Sequence, residues 1–307
     1  MDKTQTALLP LDLTYIDDAI ISYSLKASPL SQVKKIILMH VLKDNTEKDE
    51  VEYKGKLLSR HDMAEAKMRD LVEKHKDLND RNIVFEIHVS ASNDPTSKIL
   101  KYSKKKKVEL IIAGKKNIAE GSGTIARLLT RYAFCTVLTV SENPQVPIKK
   151  AIIPIDFSEM SKRAMSEGID VAKKNNMELV ILHVYALPTG YTASGKTPQE
   201  YASVLQLHAE KRCKNFLKQF DLDGVKYKER LHFDLYGNNE AKIISNISLV
   251  EDADLIVMGS RGRSALAATF IGSTTESLMK QHNTTVSTLV VKDRVRNLGL
   301  FGALLEM

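Results

Sequence analysis

The chain has little of several residue types, and each shortage excludes a class of protein. Only two of its 307 residues are cysteines, Cys135 and Cys213, so we expect neither a disulfide framework nor a cysteine-rich metal site. No apolar run approaches the roughly 18 residues of a membrane-spanning helix. The first residues also lack the basic start and long apolar segment of a secretion signal. These absences predict a cytoplasmic protein without a membrane span.

Positive charge is in excess, with a formal net charge of +7. The clearest concentration is the run Lys104-Lys105-Lys106-Lys107. A run of this kind is compatible with a nucleic-acid or acidic-membrane surface. It has no interleaved aromatic or arginine residues, however, and lysines at the last turn of a helix are favoured by the helix dipole. We therefore interpret it as a solvated helix end and expect no nucleic-acid partner.

The chain repeats itself. Apolar runs near the start return in the same order later, and their matched residues are separated by a nearly constant shift: Asp12 with Asp156, His40 with His183, and Gly114 with Gly259. A long-period repeat in one order indicates two tandem copies of one domain.

Each copy alternates short apolar runs with longer charged segments of helical periodicity, such as Lys56–Asp77 and Thr197–Phe220. This alternation is typical of βαβ units, and therefore of a parallel sheet covered by helices on both faces. We predict two tandem Rossmann-like α/β domains, each with a five-stranded parallel sheet. The predicted strands are 6–13, 33–42, 83–90, 108–114 and 135–141 in the first copy, and 150–157, 178–185, 226–236, 253–259 and 286–292 in the second.

Two prolines, Pro144 and Pro147, break the chain between the copies. The predicted divisions are a first domain over 1–143, a second over 149–293, and a C-terminal tail over 294–307. The tail is apolar but too short to cross a bilayer. It can dock on the protein, join another subunit or touch a membrane surface, and docking is preferred because an exposed apolar segment is a liability.

A glycine loop follows the apolar run Leu255–Met258. Its pattern is Gly259-x2-Gly262-x9-Gly272-Ser273-Thr274, which is neither a Walker A loop nor a dinucleotide fingerprint. Ser273 with Glu276 reads as a capping box that begins a helix, and a loop before a helix N-terminus can bind phosphate. Loops after strands also carry glycines for purely structural reasons. If Ser273 caps its own helix, a phosphate depends mainly on backbone N–H groups.

With the repeat and the glycine pattern together, the chain resembles the universal stress protein family in a tandem form. The resemblance extends to about Lys292 and implies the adenine nucleotide alpha hydrolase-like fold and binding of ATP or another adenine nucleotide, with or without Mg²⁺. It also implies roles for strand-end residues near adenine and ribose and for loop residues near phosphate. The implied binding residues are Pro154, Ile155, Asp156, Val184, Met258, Gly259, Arg261, Gly262, Gly272, Ser273, Thr274 and Thr275.

Several of these residue types also have other interpretations. A carboxylate at Asp156 suits a ribose hydroxyl or an adenine amino group, but an aspartate can instead cap the following helix. Arg261 and Arg263 can neutralise phosphate charge, although loop arginines are often merely solvated. His183 lies in an apolar run, which favours a packed core histidine over a ligand.

The first copy departs from the glycine pattern. Asn117 replaces the second glycine, and nine residues later Arg127-Leu128-Leu129 stands in place of Gly-Ser-Thr, with Gly121 and Gly123 out of register. Pro10 and Asp12 remain. We predict that this copy binds ATP weakly or not at all. We expect it to pack against the second copy as an intramolecular pseudo-dimer through the fifth strands.

Three functions fit these observations. The leading one is a stress-response regulator whose ATP occupancy changes its association with an unidentified protein partner, because no general base, nucleophile or metal cluster accompanies the loop. The second is a slow ATPase or phosphoryl-transfer enzyme in which Asp156 or a loop hydroxyl positions water. The third is a scaffold that does not use nucleotide. A further homodimer is compatible with all three.

Overall fold

The computed structural model describes residues 5–27, 32–116, 123–187, 197–235, 239–262, 271–281 and 286–293. The described chain divides into two compact units. The first runs to Pro147 and includes Lys292 and Asp293, and the second is Ile148–Val291. No helix among the described residues is both long enough and apolar enough to cross a membrane.

The first unit alternates strands and helices along the chain. Its elements are β1 (Gln5–Pro10), α1 (Ile16–Lys26), β2 (Val33–Leu42), β3 (Glu50–Tyr53), β4 (Lys56–Ser59), α2 (Arg60–Lys74), a 3-10 helix (Lys76–Leu78), β5 (Val84–Ala91), α3 (Pro95–Lys105), β6 (Leu110–Gly114), α4 (Thr124–Tyr132) and β7 (Thr136–Val140).

The second unit has the same alternation. Its elements are β8 (Lys150–Pro154), α5 (Glu159–Asn175), β9 (Glu178–Ala186), α6 (Pro198–Leu217), β10 (Tyr227–Asp234), α7 (Glu240–Val250), β11 (Leu255–Gly259), α8 (Ser273–Lys280) and β12 (Ser287–Val291). Thr197 and Glu200 form a capping box at the start of α6, within the segment predicted to be helical.

Each unit contains a parallel sheet whose strand order reverses beside its first strand. The order is β7-β6-β1-β2-β5 in the first unit and β10-β9-β8-β11-β12 in the second. This is the order of a doubly wound α/β fold, in which ligands bind beside the reversal, at the carboxyl ends of the strands. The predicted fold class is confirmed, and the ten predicted strands are present in the described part of the chain.

Neighbouring residues of a strand face opposite sides of the sheet, and both sides of β8 are covered. Ile152 belongs to the core cluster that contains Ile244 of α7 and Leu278 of α8. Ile153 faces α5, where a Cβ atom on Gly168 would lie 2.4 Å from Ile153 Cδ1. The apolar strands are therefore buried between helices, which explains why they read as continuous apolar runs.

The first strand of each unit ends three residues earlier than predicted. In both units the backbone turns after a proline. The residue that follows the matched aspartate has a positive φ, which is 61° for Leu13 and 66° for Phe157. This left-handed conformation is rare for bulky residues and interrupts strand geometry. The two copies thus place Asp12 and Asp156 in the same strained turn.

A hairpin of two short strands was missed by the sequence interpretation. The segment predicted as helical from Lys56 begins instead with β4, which pairs with β3 in an antiparallel hairpin, and α2 starts only at Arg60. Lys54 and Gly55 both have positive φ values, 51° and 75°. Two such residues between strands are typical of a tight hairpin turn, so the Lys-Gly pair was the available signal.

The lysine run lies at the end of a helix, as predicted. Lys104 and Lys105 occupy the last turn of α3, and Lys106 is its C-terminal cap. Lys106 Nζ lies 2.7 Å from Glu86, and hydrogen bonds from Lys106 and Lys35 lower the pKa of Glu86 to about 2. Part of the positive charge of the lysine run is therefore balanced by a carboxylate of the first unit itself.

Candidate functional site

A cavity of about 640 Å³ opens at the strand-order reversal of the second unit. Strands β8 and β11 are neighbours there, and both end at this edge of the sheet. All twelve binding residues inferred from the sequence line this one cavity. They are Pro154, Ile155, Asp156, Val184, Met258, Gly259, Arg261, Gly262, Gly272, Ser273, Thr274 and Thr275.

Asp156 is held in the turn that follows β8. Its Oδ1 atom accepts hydrogen bonds from the backbone N–H of Ser158 at 3.0 Å and from the hydroxyl of Ser161 at 2.5 Å. The N-cap of α5 is Ser158, whose side chain accepts from Ser161 N–H. The capping alternative for Asp156 is therefore wrong. Its Oδ2 atom faces the glycine loop, where a Cβ on Gly262 would lie 2.7 Å away.

Each of the three glycines of the loop has a neighbour close to where a Cβ atom would stand. A Cβ on Gly259 would lie 2.9 Å from the backbone of Met160, at the start of α5. A Cβ on Gly272 would lie 3.2 Å from Arg261 Cα and 3.3 Å from Gly262 N. The two ends of the loop thus pack against each other, and Gly272 N–H donates to Ser260 O at 2.7 Å. The absence of a Cβ at Gly272 lets the two ends approach without displacing either backbone.

The predicted capping box at Ser273 is wrong by one residue. Gly272 is the N-cap of α8 and has no side chain with which to cap the helix, and Ser273 is the first helical residue. Because Ser273 is exposed and already helical, its hydroxyl is not positioned to bond the third N–H of the helix. The first N–H groups of α8 consequently lie at the cavity without a hydrogen bond from the side chain of the N-cap residue, and a helix start of this kind attracts anions.

The two threonines of the loop have different roles. Thr275 is 2% exposed, and its hydroxyl donates to Gly259 O at 3.0 Å, which ties α8 to the end of β11. Thr274 donates its hydroxyl hydrogen to Glu240 Oε2 at 2.7 Å. Glu240 begins α7 and also lines the cavity. The sequence did not indicate Glu240 as a site residue, because it is separated from Thr274 by 34 positions and is marked only by its place at a helix start.

Arg261 and His183 also line the cavity, and the sequence allowed two interpretations of each. Arg261 is 7% exposed, so the solvated interpretation is wrong for this residue. Arg263 lies outside the described residues. His183 is buried, contacts Ile155 O through Nδ1 at 2.9 Å and packs on Phe157, with ring centroids 4.4 Å apart. It is a core histidine, as predicted, that also lines the cavity.

The first unit has a cavity of about 530 Å³ in the corresponding place. Pro10, Asp12 and His40 line it, but so does Lys116, whose Nζ lies 2.6 Å from Asp12 Oδ2. Desolvation raises the pKa of Asp12, yet the hydrogen bonds from Lys116 and Thr14 lower it overall. The carboxylate is thus already paired with a cation from the same chain.

The register predicted for the first-unit loop is wrong. Gly123, with φ at 81°, is the N-cap of α4, and Arg127 lies one turn inside that helix, its N–H bonded to Gly123 O at 2.9 Å. The structural counterpart of Gly272 is therefore Gly123. In the sequence, Gly123 follows the end of β6 more closely than Gly272 follows the end of β11. The first copy differs by a shortened loop and a lysine on its aspartate, rather than by an arginine at the helix start.

These features define a duplicated, doubly wound α/β protein with a strand-end cavity in each unit. The model of the universal stress protein family matches residues 147–292. A universal stress protein of Methanocaldococcus jannaschii is 28% identical over 162 residues, which cover 48% of this chain and 96% of that protein. One from Synechocystis is 25% identical over 155 residues, which cover 47% of this chain and 97% of that protein.

The solved structures agree with the duplication. A universal stress protein from Archaeoglobus fulgidus matches 95% of this chain and 97% of its own, with a TM-score of 0.62 and 20% identity, and so shares the fold. The protein belongs to the universal stress protein family. The resemblance inferred from the residues is confirmed.

Proposed function

We propose that this protein is a stress-response regulator that binds ATP in the cavity of its second unit. The observation that carries the proposal is the convergence of all twelve inferred residues on one cavity at the N-terminus of α8. The described part of the chain contains no cluster of three or more His, Cys, Asp or Glu residues suited to a metal ion. The lining of the cavity supports nucleotide binding directly, so we propose a binding and regulatory role ahead of turnover.

The strand ends supply the features that adenosine requires. Ile155, Val184 and Met258 offer apolar walls for a purine ring. Asp156 is oriented by Ser158 and Ser161, so its carboxylate is already in place to accept a ribose hydroxyl or an adenine amino group. This preorganisation supports binding because little side-chain freedom is lost.

The loop and α8 supply the features that phosphates require. The N–H groups at the start of α8, whose N-cap is a glycine, and the close-packed backbone at Gly262 and Gly272 favour an anion. Arg261 adds a buried positive charge to the same cavity. A triphosphate that extends from the Asp156 side toward α8 would meet these groups in turn.

We assign the first unit a structural role. Its cavity carries the Lys116–Asp12 ion pair, and its loop to α4 is shorter, so both ends of an ATP molecule lose a favourable partner. We retain as proposals the domain limits 1–143 and 149–293, the tail at 294–307, and the pseudo-dimer. Cytoplasmic localisation and an effector protein that responds to ATP occupancy are also proposed.

Calorimetric titration of ATP-Mg into the wild type and into Gly272→Val tests this function. We expect one site per chain in the wild type and no measurable binding in the variant, because a branched side chain at Gly272 would collide with Arg261 and Gly262. Circular dichroism checks that the variant is folded. Two sites per chain would show that the first unit also binds, and no site in the wild type would favour a nucleotide-independent scaffold.

A further inference from the structure

Glu240 places a carboxylate in the cavity at the end where phosphates are proposed to bind. It is the first residue of α7, and its Oε2 atom accepts the hydroxyl hydrogen of Thr274, the second residue of α8. Both side chains line the cavity. The neighbouring bond from Asn239 Nδ2 to Ser277 Oγ, at 2.9 Å, also joins the two helix starts. The two helices are therefore joined by two hydrogen bonds next to each other, one of which is made by Glu240 itself.

This hydrogen bond changes what Thr274 can offer to a ligand. A hydroxyl group has one hydrogen to donate, and here that hydrogen is directed to Glu240. Thr274 consequently cannot donate to a phosphate oxygen while the bond persists. Its oxygen lone pairs remain, and they can act only as acceptors or as ligands to a cation.

The carboxylate itself is unfavourable to a polyphosphate. Like charges brought together at a binding site cost several kcal/mol, unless something between them carries positive charge. Among the described residues that line the cavity, Arg261 carries a positive charge, whereas Asp156 and Glu240 each carry a carboxylate. A divalent cation between Glu240 and the phosphates would change this repulsion into attraction.

The oxygens present suit such a cation. Mg²⁺ prefers oxygen ligands and is commonly held by one or two protein groups together with substrate phosphates and water, instead of by an all-protein cage. In phosphate-binding loops a Ser or Thr hydroxyl often acts as one ligand and a nearby carboxylate supports the same ion. The Glu240–Thr274 pair provides these two kinds of oxygen next to each other.

We propose that Glu240 and Thr274 hold a divalent cation together with the phosphate oxygens of the bound nucleotide, so that this site selects the metal complex over free nucleotide. The inference rests on the proposed nucleotide function of the same cavity. It assigns to Glu240 the role of a specificity-determining residue. Glu240 repels a polyphosphate that carries no metal ion and attracts one whose negative charge is screened by a divalent cation.

The test compares ATP binding in excess Mg²⁺ and in EDTA, at matched ionic strength, for the wild type and Glu240→Gln. We expect the wild type to bind at least roughly ten-fold more tightly with Mg²⁺. In the variant, whose amide oxygen can still accept from Thr274, we expect this ratio to fall toward one, mainly through tighter binding in EDTA. Adenosine, which has no phosphate, should bind both proteins equally. With Mn²⁺ in place of Mg²⁺, electron paramagnetic resonance should detect less protein-bound metal in the variant.

Glu276→Gln is the matched control. Glu276 is on the first turns of α8 and pairs with Lys280 at 3.3 Å, but it does not line the cavity, so its loss should leave the wild-type Mg²⁺ ratio unchanged. An equal ratio in the wild type and in Glu240→Gln would overturn the inference about Glu240. So would wild-type ATP binding that is indifferent to Mg²⁺ while adenosine still binds. Failure of adenosine and of ATP to bind the wild type would instead overturn the proposed function.

Discussion

The carboxylate of Asp156 occupies the space that a side chain at Gly262 would enter, since an added Cβ atom on Gly262 would lie 2.7 Å from Asp156 Oδ2. This proximity joins the turn after β8 to the loop after β11, two segments that meet only where the strand order of the sheet reverses. The second glycine of the loop motif therefore leaves room for the carboxylate of Asp156 in its present position.

Replacement of Gly262 by alanine should weaken ATP binding by roughly ten-fold or more, because the Asp156 carboxylate must move out of the position fixed by Ser158 and Ser161. Stability should change little, since the end of a side chain can shift. Gly259→Ala provides the contrast: its Cβ would meet the Met160 backbone, and we expect a loss of about 1–3 kcal/mol. Calorimetry and urea unfolding measure the two effects, and wild-type affinity in Gly262→Ala would contradict the first.

Matched substitutions at the two repeat aspartates should have unequal effects. Asp156→Asn keeps one oxygen for the turn but loses the charge that faces the ligand, so we expect ATP affinity to fall about ten-fold or more. Asp12→Asn should leave ATP binding unchanged, because Asp12 already pairs with Lys116. Calorimetric titration of both variants checks this difference. An equal loss of affinity in Asp12→Asn would place a functional site in the first unit.

Two serines near helix starts in the second unit should differ in their contribution to stability. Ser158 caps α5 and accepts a hydrogen bond from Ser161 N–H, so Ser158→Ala should cost about 1 kcal/mol. Ser273 is exposed and follows the N-cap of α8, so Ser273→Ala should change stability by less than about 0.5 kcal/mol. Urea unfolding followed by circular dichroism measures both. A cost at Ser273 similar to that at Ser158 would indicate that Ser273 caps its helix after all.

Asp17 should make the stability of the first unit depend on pH. It is 1% exposed, and desolvation on burial, reinforced by the charge of Asp12, raises its pKa from 3.8 to about 7. The folded state therefore binds this proton more tightly than the unfolded state. Its stabilising effect is complete below about pH 4 and is lost as the pH rises through about 7.

Asp17→Asn should remove this dependence, because asparagine can still accept the hydrogen bond from Leu13 N–H, now 2.7 Å long. We expect the melting temperature of the variant to rise relative to that of the wild type between pH 5 and pH 8. Thermal unfolding at several pH values provides the measurement. A constant difference across this range would mean that Asp17 ionises as an ordinary surface aspartate does.

Much of the fold could be predicted because it is encoded locally. Strands such as β2 and β11 are apolar runs of the length that a buried parallel strand needs, and their order along the chain defines βαβ units. The β3–β4 hairpin was missed because neither of its four-residue strands is buried and the second one merges with the helical pattern that follows. The cap of α8 was misplaced by one residue because serine is the usual capping residue, whereas here the glycine is held by its contacts with the loop.

The sequence by itself determined the duplication, the doubly wound fold and the residues that gather at one cavity, because each depends on periodicity, glycine position or strand order. The tertiary structure decided which of those residues touch. In the folded protein the Asp156 carboxylate lies beside Gly262, the Thr274 hydroxyl donates a hydrogen bond to Glu240, and Lys116 forms an ion pair with Asp12. Such pairs join segments far apart in the chain, and their distances follow from how strands and helices pack rather than from any local pattern.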